Sequence, residues 1–291
     1  MWADDATVAV LQVAASHGLS VTDPRVLRVG ENAVIALPAA GALARVTRDQ
    51  RDLPGVRDQV RIARWLLSQG VDVVRPLPIE PTHVNGLVVS LWEYLADAMS
   101  ADPVMLAGAL RRLHSIPRPA GALLRRVDPF ERFDARLAAA APPFSDADAT
   151  LLTALRDDLA VQWRAASFEL DDAVLHGDAH MDNLLVTPDG RTTFIDPETV
   201  CVGPPEWDLT LTALYYEIGW FTQRQYADFA GEYGYDVRTS PTWPMLRLIR
   251  MLRMTMWLAQ TAADYPDRAT QLRHRLQTLR DGTAPTGWTG F

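Results

Sequence analysis

Apolar positions recur along the chain at two periods, and the alternation between them predicts the elements. Residues Thr7 to His17 form an apolar helical stretch that Gly18 stops. From Val26 to Val46, short apolar runs alternate with the turn residues Gly30-Glu31-Asn32 and Pro38-Ala39-Ala40-Gly41. That pattern predicts two or three antiparallel strands. Helical spacing returns between Val56 and Gln69 at Val60, Ala63, Leu66 and Leu67, with Gly70 as the stop. Thr82-His83-Val84 and Leu87-Val88-Val89 then flank Asn85-Gly86, the dipeptide that most readily supplies the positive φ angles of a type I′ turn, so a β-hairpin is expected.

Beyond Leu91-Trp92-Glu93-Tyr94-Leu95 the pattern becomes mainly helical, and Leu95 to Ser100 is the expected joint between a unit over 1–95 and one over 96–291. Asp102-Pro103 starts a helix to about Ser115. Asp128-Pro129 is expected to start another that ends before Pro142-Pro143, and Ser145 caps a third to about Arg164. Strands return at Val174-Leu175, at Leu184 to Val186 and, across a Pro188-Asp189-Gly190 turn, at Thr192 to Ile195. Helices resume after them. The last long stripe, from about Trp243 to Thr261, carries Met245, Met251, Met254, Met256 and Trp257, a composition expected of adaptable core packing. A short β island inside a helical region is where chemistry is expected.

Composition narrows the chemistry. The chain has 291 residues, enough for one large or two modest units at roughly 150 residues each. All 28 of its basic residues are arginine, so mechanisms that need a lysine Schiff base or a P-loop lysine are excluded. With 36 acidic residues and a formal charge of -8, the chain has the wrong sign for binding nucleic acid. Cys201 has no intramolecular partner to pair with, the first residues lack the marks of a secretion signal, and no apolar run approaches the ~18 residues of a membrane span. A cytoplasmic protein with no membrane partner is therefore expected.

Within the β island, His176-Gly177-Asp178-Ala179-His180-Met181-Asp182-Asn183 concentrates proton-transferring and chelating groups in one loop between apolar strands. Asp196 follows Asn183 by 13 residues at the end of an apolar strand, so a hairpin can bring its carboxylate back beside the amide. Hard oxygens of that kind suit Mg²⁺, which binds few protein groups and takes substrate phosphates as further ligands. Asp178 is then free to orient a hydroxyl. His176 and His180 lie four apart and admit a zinc reading, with a metallohydrolase built on His176, Asp178 and His180, but only four other histidines and one cysteine are available to complete such a site.

The pattern H-G-D-x4-N followed by an apolar strand ending in aspartate closely resembles the aminoglycoside phosphotransferase and choline kinase family, relatives of the protein kinases. Gly30-Glu31-Asn32 is similar to that family's nucleotide-phosphate turn, Trp92-Glu93-Tyr94 to its hinge and Pro204-Pro205-Glu206-Trp207-Asp208 to its post-catalytic motif. The resemblance implies an α+β, bilobal protein-kinase-like fold with a small β-rich N-terminal lobe and a larger, mainly helical C-terminal lobe. It implies Asp178 as the catalytic carboxylate, Asn183 and Asp196 as Mg²⁺ ligands, and His176 and Asp208 as supports of the catalytic loop. Nucleotide contacts fall to Gly30, Asn32, Arg45 and the hinge residues Glu93, Tyr94 and Leu95. The implied reaction moves the γ-phosphoryl group of ATP or GTP, with Mg²⁺, to a hydroxyl of a small molecule, with aminoglycoside or nucleoside antibiotics as the first expectation. A catalytically silent ligand-binding or regulatory module is the alternative.

Two positions depart from the family pattern. Arg45 stands where the family usually has a phosphate-contacting lysine, and Gln59, beside Asp58, stands near the place of the helix glutamate that pairs with it. If Gln59 faces Arg45, an ion pair becomes a neutral hydrogen bond. For the acceptor, position along the chain points to His180 in the loop, to Glu198 two residues past Asp196, and to Tyr215, Tyr216, Glu217 and Trp220 after the post-catalytic motif.

Overall fold

The Asn85-Gly86 pair turns a hairpin with φ of 53° and 82°, the two positive values that a type I′ turn requires. A computed structural model describes residues 2–30, 32–140, 144–260, 262 and 265–290. Its elements begin with α1 (Trp2–Ser16), β1 (Arg25–Val29), β2 (Asn32–Leu37), β3 (Ala42–Thr47), α2 (Leu53–Ser68), β4 (Thr82–Val84), β5 (Leu87–Glu93) and β6 (Met99–Ser100). They continue with α3 (Pro103–Ser115), α4 (Phe133–Ala138), α5 (Asp146–Ala165), β7 (Ala173–Leu175), β8 (Leu184–Val186), β9 (Thr192–Phe194) and β10 (Cys201–Gly203). The chain ends in α6 (Glu206–Ile218), α7 (Gln223–Tyr233), α8 (Trp243–Ala259) and α9 (Pro266–Asp281).

Two compact units result. The first comprises Met1–Asp102, Pro119–Leu124 and Met181–Val200. Its sheet has the order β1-β2-β3-β5-β4, with every neighbouring pair antiparallel. Alternation along β3 sends Ala42, Ala44 and Val46 into the core, where they meet Val10 and Val13 of α1. Each fully buried valine or leucine contributes roughly 1.5–3 kcal/mol, which is what holds α1 on the sheet. The β8–β9 hairpin belongs here because Phe194 exchanges backbone hydrogen bonds with the 72–74 strip, Val74 N to Phe194 O at 2.8 Å and Phe194 N to Asp72 O at 2.9 Å. β6 pairs with β8 on the other edge.

The second unit comprises Pro103–Arg118, Arg125–His180 and Cys201–Phe291 and is mainly helical. Its one short sheet joins β7 to β10, and α8 packs against α4, α5, α6 and α9. Met245, Met251 and Met256 are buried in that packing, as their composition suggests, whereas Trp257 is 41% exposed. Among the described residues no helix is long and apolar enough to cross a membrane.

Three local expectations need correction. α1 starts at Trp2, five residues ahead of Thr7, with Asp4 and Asp5 in a first turn whose free amides favour negative charge. Asp128-Pro129 opens a turn and no helix: the Asp128 carboxylate accepts from the Phe130 amide at 2.9 Å, Arg132 takes φ of 65°, and α4 begins only at Phe133. β6 and β10 are two and three residues long, too short for any period to show. Glu31, Pro142, Pro143 and Thr261, which enter the expectations above, lie outside the described residues.

Candidate functional site

In the second unit, β7 is buried along its whole length and delivers His176-Gly177-Asp178 at its end. Gly177 takes φ of 86°, a conformation that costs a glycine nothing and turns its amide beside that of His176. Both amides donate to one carboxylate in the first turn of α6: His176 N to Asp208 Oδ2 at 2.7 Å and Gly177 N to Asp208 Oδ1 at 2.8 Å. Asp208 is fully buried and also meets His114 Nε2 at 3.0 Å. Burial pushes its carboxyl up, but the His114 hydrogen bond and charge, His176 and the Gly177 amide together hold it below the ordinary carboxylate range. The neighbouring Trp207 donates its indole N–H to the Gly177 carbonyl at 2.9 Å, so α6 grips the loop at two successive residues.

Asp178, presented by this loop, keeps 42% of its side chain exposed. His180 Nε2 lies 3.7 Å from its Oδ2, and Arg250 Nη1 lies 3.5 Å from its Oδ1. Desolvation raises its pKa, and the charges of His180, Arg250, Arg253 and His176 more than reverse that, leaving the carboxyl below its ordinary value. It is an ionised acceptor throughout the neutral range. Sequence reasoning missed Arg250 and Arg253, which it passed over within a methionine-rich core helix. The signal was present: an arginine four residues after Leu246 and one after Ile249 falls on the apolar stripe of α8, where a charge needs a partner.

In the first unit, antiparallel pairing of β8 with β9 sets Leu184 opposite Phe194, and Ile195 N donates to Asn183 O at 2.9 Å. Asn183 and Asp196 therefore share one end of the hairpin. Asn183 is buried, and Asp196 occupies the left-handed region at φ of 57°, a conformation that costs a non-glycine residue of order 1–3 kcal/mol. The pair offers one amide oxygen and one carboxylate. Those hard donors fit a divalent cation such as Mg²⁺, which binds through one or two protein groups and retains waters or phosphate oxygens elsewhere.

Arg45, on β3, donates to Asp196 Oδ1 and to Glu198 Oε2. With its amide oriented to satisfy the network, Asn32 accepts from Arg45 Nη2 at 2.8 Å and donates to Thr47 Oγ1 at 2.9 Å. The guanidinium thus pairs with two carboxylates rather than with Gln59, whose buried Oε1 has no hydrogen-bond partner among the described residues. Burial lowers the Arg45 pKa, but Asp196 and Glu198 raise it above the usual arginine value, so the charge is permanent. Gly30 closes the first hairpin by donating to Asn32 O at 3.0 Å. At the end of β5, Glu93 N donates to Arg75 O at 2.8 Å and Tyr94 N to Gly41 O at 2.9 Å, so these two amides, expected in the hinge, are committed within the fold ahead of Leu95.

The residues expected at the acceptor are divided between the two units. Glu198 belongs with Arg45 in the first unit, while the others lie in the second. There Tyr215 contacts Trp220 at 4.7 Å between ring centroids, Tyr216 stacks on Tyr226 at 5.3 Å, and Glu217 pairs with Arg247. His180 stays beside Asp178.

The model of the phosphotransferase enzyme family known as APH matches residues 31–249. The chain belongs to this family. Methylthioribose kinase 1 of Oryza sativa subsp. japonica is 35% identical over 95 residues, which is 31% of this chain and 21% of that protein, so the match spans about a fifth of the relative's length. Among solved structures, the amicoumacin kinase hAmiN in complex with AMP-PNP, Ca²⁺ and Ami aligns with a TM-score of 0.71 at 12% identity, covering 96% of this chain and 95% of that one. The choline kinase LicA from Streptococcus pneumoniae aligns with a TM-score of 0.65 at 18% identity, covering 94% and 97%. These likenesses identify a protein-kinase-like fold: a small unit built on an antiparallel sheet and a larger, mainly helical one.

Proposed function

We propose that this protein transfers the γ-phosphoryl group of ATP or GTP to a hydroxyl of a small molecule. The observation that carries the reading is the presentation of Asp178, an exposed and ionised carboxylate on a loop that α6 grips through two amides and one carbonyl. Asp178 accepts the hydrogen bond of the attacking hydroxyl and orients it, then takes its proton as the new oxygen–phosphorus bond forms and the bond between the γ-phosphorus and the β–γ bridging oxygen breaks, releasing ADP or GDP. A low pKa suits the first task, because the acceptor lone pair is available at any neutral pH.

In this reading the first unit, taken as a nucleotide lobe over 1–95 with the 181–200 hairpin, binds the co-substrate. Leu95 and the carbonyls near Glu93 receive the base, while Gly30, Asn32 and Arg45 address the phosphates. Arginine binds phosphate bidentately and with permanent charge. Asn183 and Asp196 would hold Mg²⁺, whose charge would neutralise that of the phosphate oxygens. Arg45 then turns part of its donor fork from Asp196 to phosphate. The second unit orients the acceptor.

Methylthioribose kinase, amicoumacin kinase and choline kinase carry the names of very different acceptors. A hydroxylated antibiotic, of aminoglycoside or nucleoside type, is the first acceptor to try. The test is mass spectrometry of such a panel, extended to amino alcohols and thio-sugars, after incubation with MgATP or MgGTP. A product heavier by one phosphoryl group establishes the reaction. Absence of transfer to every acceptor, together with normal nucleotide binding, leaves a silent ligand-binding module, the reading that the Arg45 pairing favours.

A further inference from the structure

α8 carries a charged residue where its pattern calls for an apolar one. Arg250 is only 2% exposed and sits among Leu246, Ile249 and Met251, each of them fully buried. Taking a guanidinium out of water costs several kcal/mol, so the surroundings must compensate it. Nη2 donates to the Gly177 carbonyl at 3.2 Å and to the Trp207 carbonyl at 3.1 Å. The guanidinium carbon lies 3.8 Å from the centre of the Trp207 ring, and Nη1 is 3.5 Å from Asp178 Oδ1. One side chain therefore touches three consecutive features of the site: the carbonyl before Asp178, the carboxylate itself, and the indole that also holds that carbonyl.

We propose that Arg250 is a positioning residue for Asp178, reaching from α8 to clamp the Gly177 carbonyl and the Asp178 carboxylate together so that the loop offers the carboxylate in a fixed orientation. The inference rests on the reading of Asp178 as the group that orients the acceptor hydroxyl. Among the described residues, the charged and titratable groups that face Asp178 include His176 and His180 from its own loop and Arg250 and Arg253 from α8, with Asp208 of α6 behind the loop amides. Arg253 differs in kind. It donates to the Pro129 carbonyl at 2.8 Å and lies 5.5 Å from the Trp207 ring, and its charge acts on Asp178.

That difference supplies the control. In the full-length protein, labelled with ¹³C at the aspartate carboxyl carbons, Asp178→Asn assigns the Asp178 resonance and a pH titration follows it, with circular dichroism confirming the fold of each variant. We expect the wild-type resonance to keep its carboxylate position well below the pH at which free aspartate protonates. Arg250→Gln, which keeps a donor for the carbonyls and removes the charge, should raise the proton affinity of Asp178 at least tenfold. Arg250→Lys should raise it less, and Arg253→Gln less than Arg250→Gln. An unchanged Asp178 midpoint in folded Arg250→Gln overturns the proposal, as does an equal shift in Arg253→Gln, which would reduce the effect to general charge. Should Arg250→Gln not fold, Arg250→Lys decides, and a wild-type midpoint in it overturns the proposal. Calorimetry with MgATP separates this inference from the functional reading: a wild-type protein that binds no MgATP refutes the kinase reading, while the titration still reports on Arg250.

Discussion

Arg45 and Asp196 stand 151 residues apart in the chain, yet the guanidinium of the first donates directly to the carboxylate of the second and to Glu198 beside it. A cation therefore lies against the carboxylate that we assign to Mg²⁺, and binding of the metal-nucleotide complex must redistribute that charge. Hydrogen bonds to charged groups are worth roughly 1.5–3 kcal/mol, so Arg45→Gln should weaken MgATP binding by about ten- to a hundredfold. In the absence of nucleotide the same variant should bind Mn²⁺ more tightly than the wild type, because a competing charge is gone. Calorimetry checks both, and unchanged MgATP affinity assigns the phosphates to another residue.

On the proposed function, replacing Asp178 removes the group that accepts from the attacking hydroxyl. Positioned proton acceptors contribute typically 10² to 10⁴ in rate, so Asp178→Ala should lose turnover by that factor while its far-ultraviolet spectrum stays close to wild type. Because the neighbouring positive charges hold the carboxyl below its ordinary value, the rate of the wild type should show no acid limb from Asp178 above about pH 4. An acid limb near neutrality that Asp178→Asn abolishes would contradict this.

Asp208 has a structural load of a different kind, since its buried carboxylate satisfies the His176 and Gly177 amides and His114 at once. Asp208→Asn turns an amide donor toward two backbone donors and should cost about 3–5 kcal/mol in urea denaturation. The pH dependence follows from the direction of its shift. Its folded pKa is depressed, so its stabilisation is complete above the unfolded value of about 3.9 and is lost as pH falls from there toward the folded value. The stability gap between wild type and Asp208→Asn should be flat near neutrality and narrow below about pH 4.

Much of this was legible in the sequence, for identifiable reasons. Strong local signals carried over: Asn85-Gly86 made its hairpin, Ser145 caps α5 by accepting from the Asp148 amide, and the Asn183 to Asp196 spacing folded into the β8–β9 hairpin. What failed to show was non-local or satisfied by backbone. Asp128-Pro129 looks like a helix start, but the aspartate caps a turn instead. The partner of Arg45 could not be found by spacing, because Asp196 and Glu198 lie 151 and 153 residues further along the chain. Arg250 was hidden because a helix rich in buried methionine reads as packing, and only the burial of its guanidinium reveals a contact with the loop.

On the proposed function, loss of Asn183 or Asp196 should appear in the cation requirement. Asn183→Ala and Asp196→Ala each delete one of the two protein oxygens assigned to the metal, and Mg²⁺ would draw its remaining ligands from water and phosphate. Both variants should need more Mg²⁺ for half-maximal nucleotide binding. Asp196→Ala should also release Arg45, so its loss of MgATP affinity should be smaller than the sum of Arg45→Gln and Asn183→Ala. Superimposable magnesium titrations for wild type and variants would remove both residues from the metal site.

The acceptor determinants separate by the company each residue keeps. Glu198 is held by Arg45, so Glu198→Gln should change nucleotide affinity and leave the acceptor KM alone. Tyr215 and Trp220 contact each other, and Glu217 is paired with Arg247 at the partly buried end of α6, in the same unit as Asp178. An aromatic face there favours a sugar or base ring, with contacts worth about 0.5–1.5 kcal/mol each, so Tyr215→Ala or Trp220→Ala should raise the acceptor KM by roughly two- to tenfold with the nucleotide KM unchanged. Glu217→Gln should act on an amine-bearing acceptor and not on a neutral one, because only the former gains from the carboxylate. Steady-state kinetics with two acceptors that differ by one amine make the comparison, and a nucleotide KM that moves with these variants would return the cluster to packing.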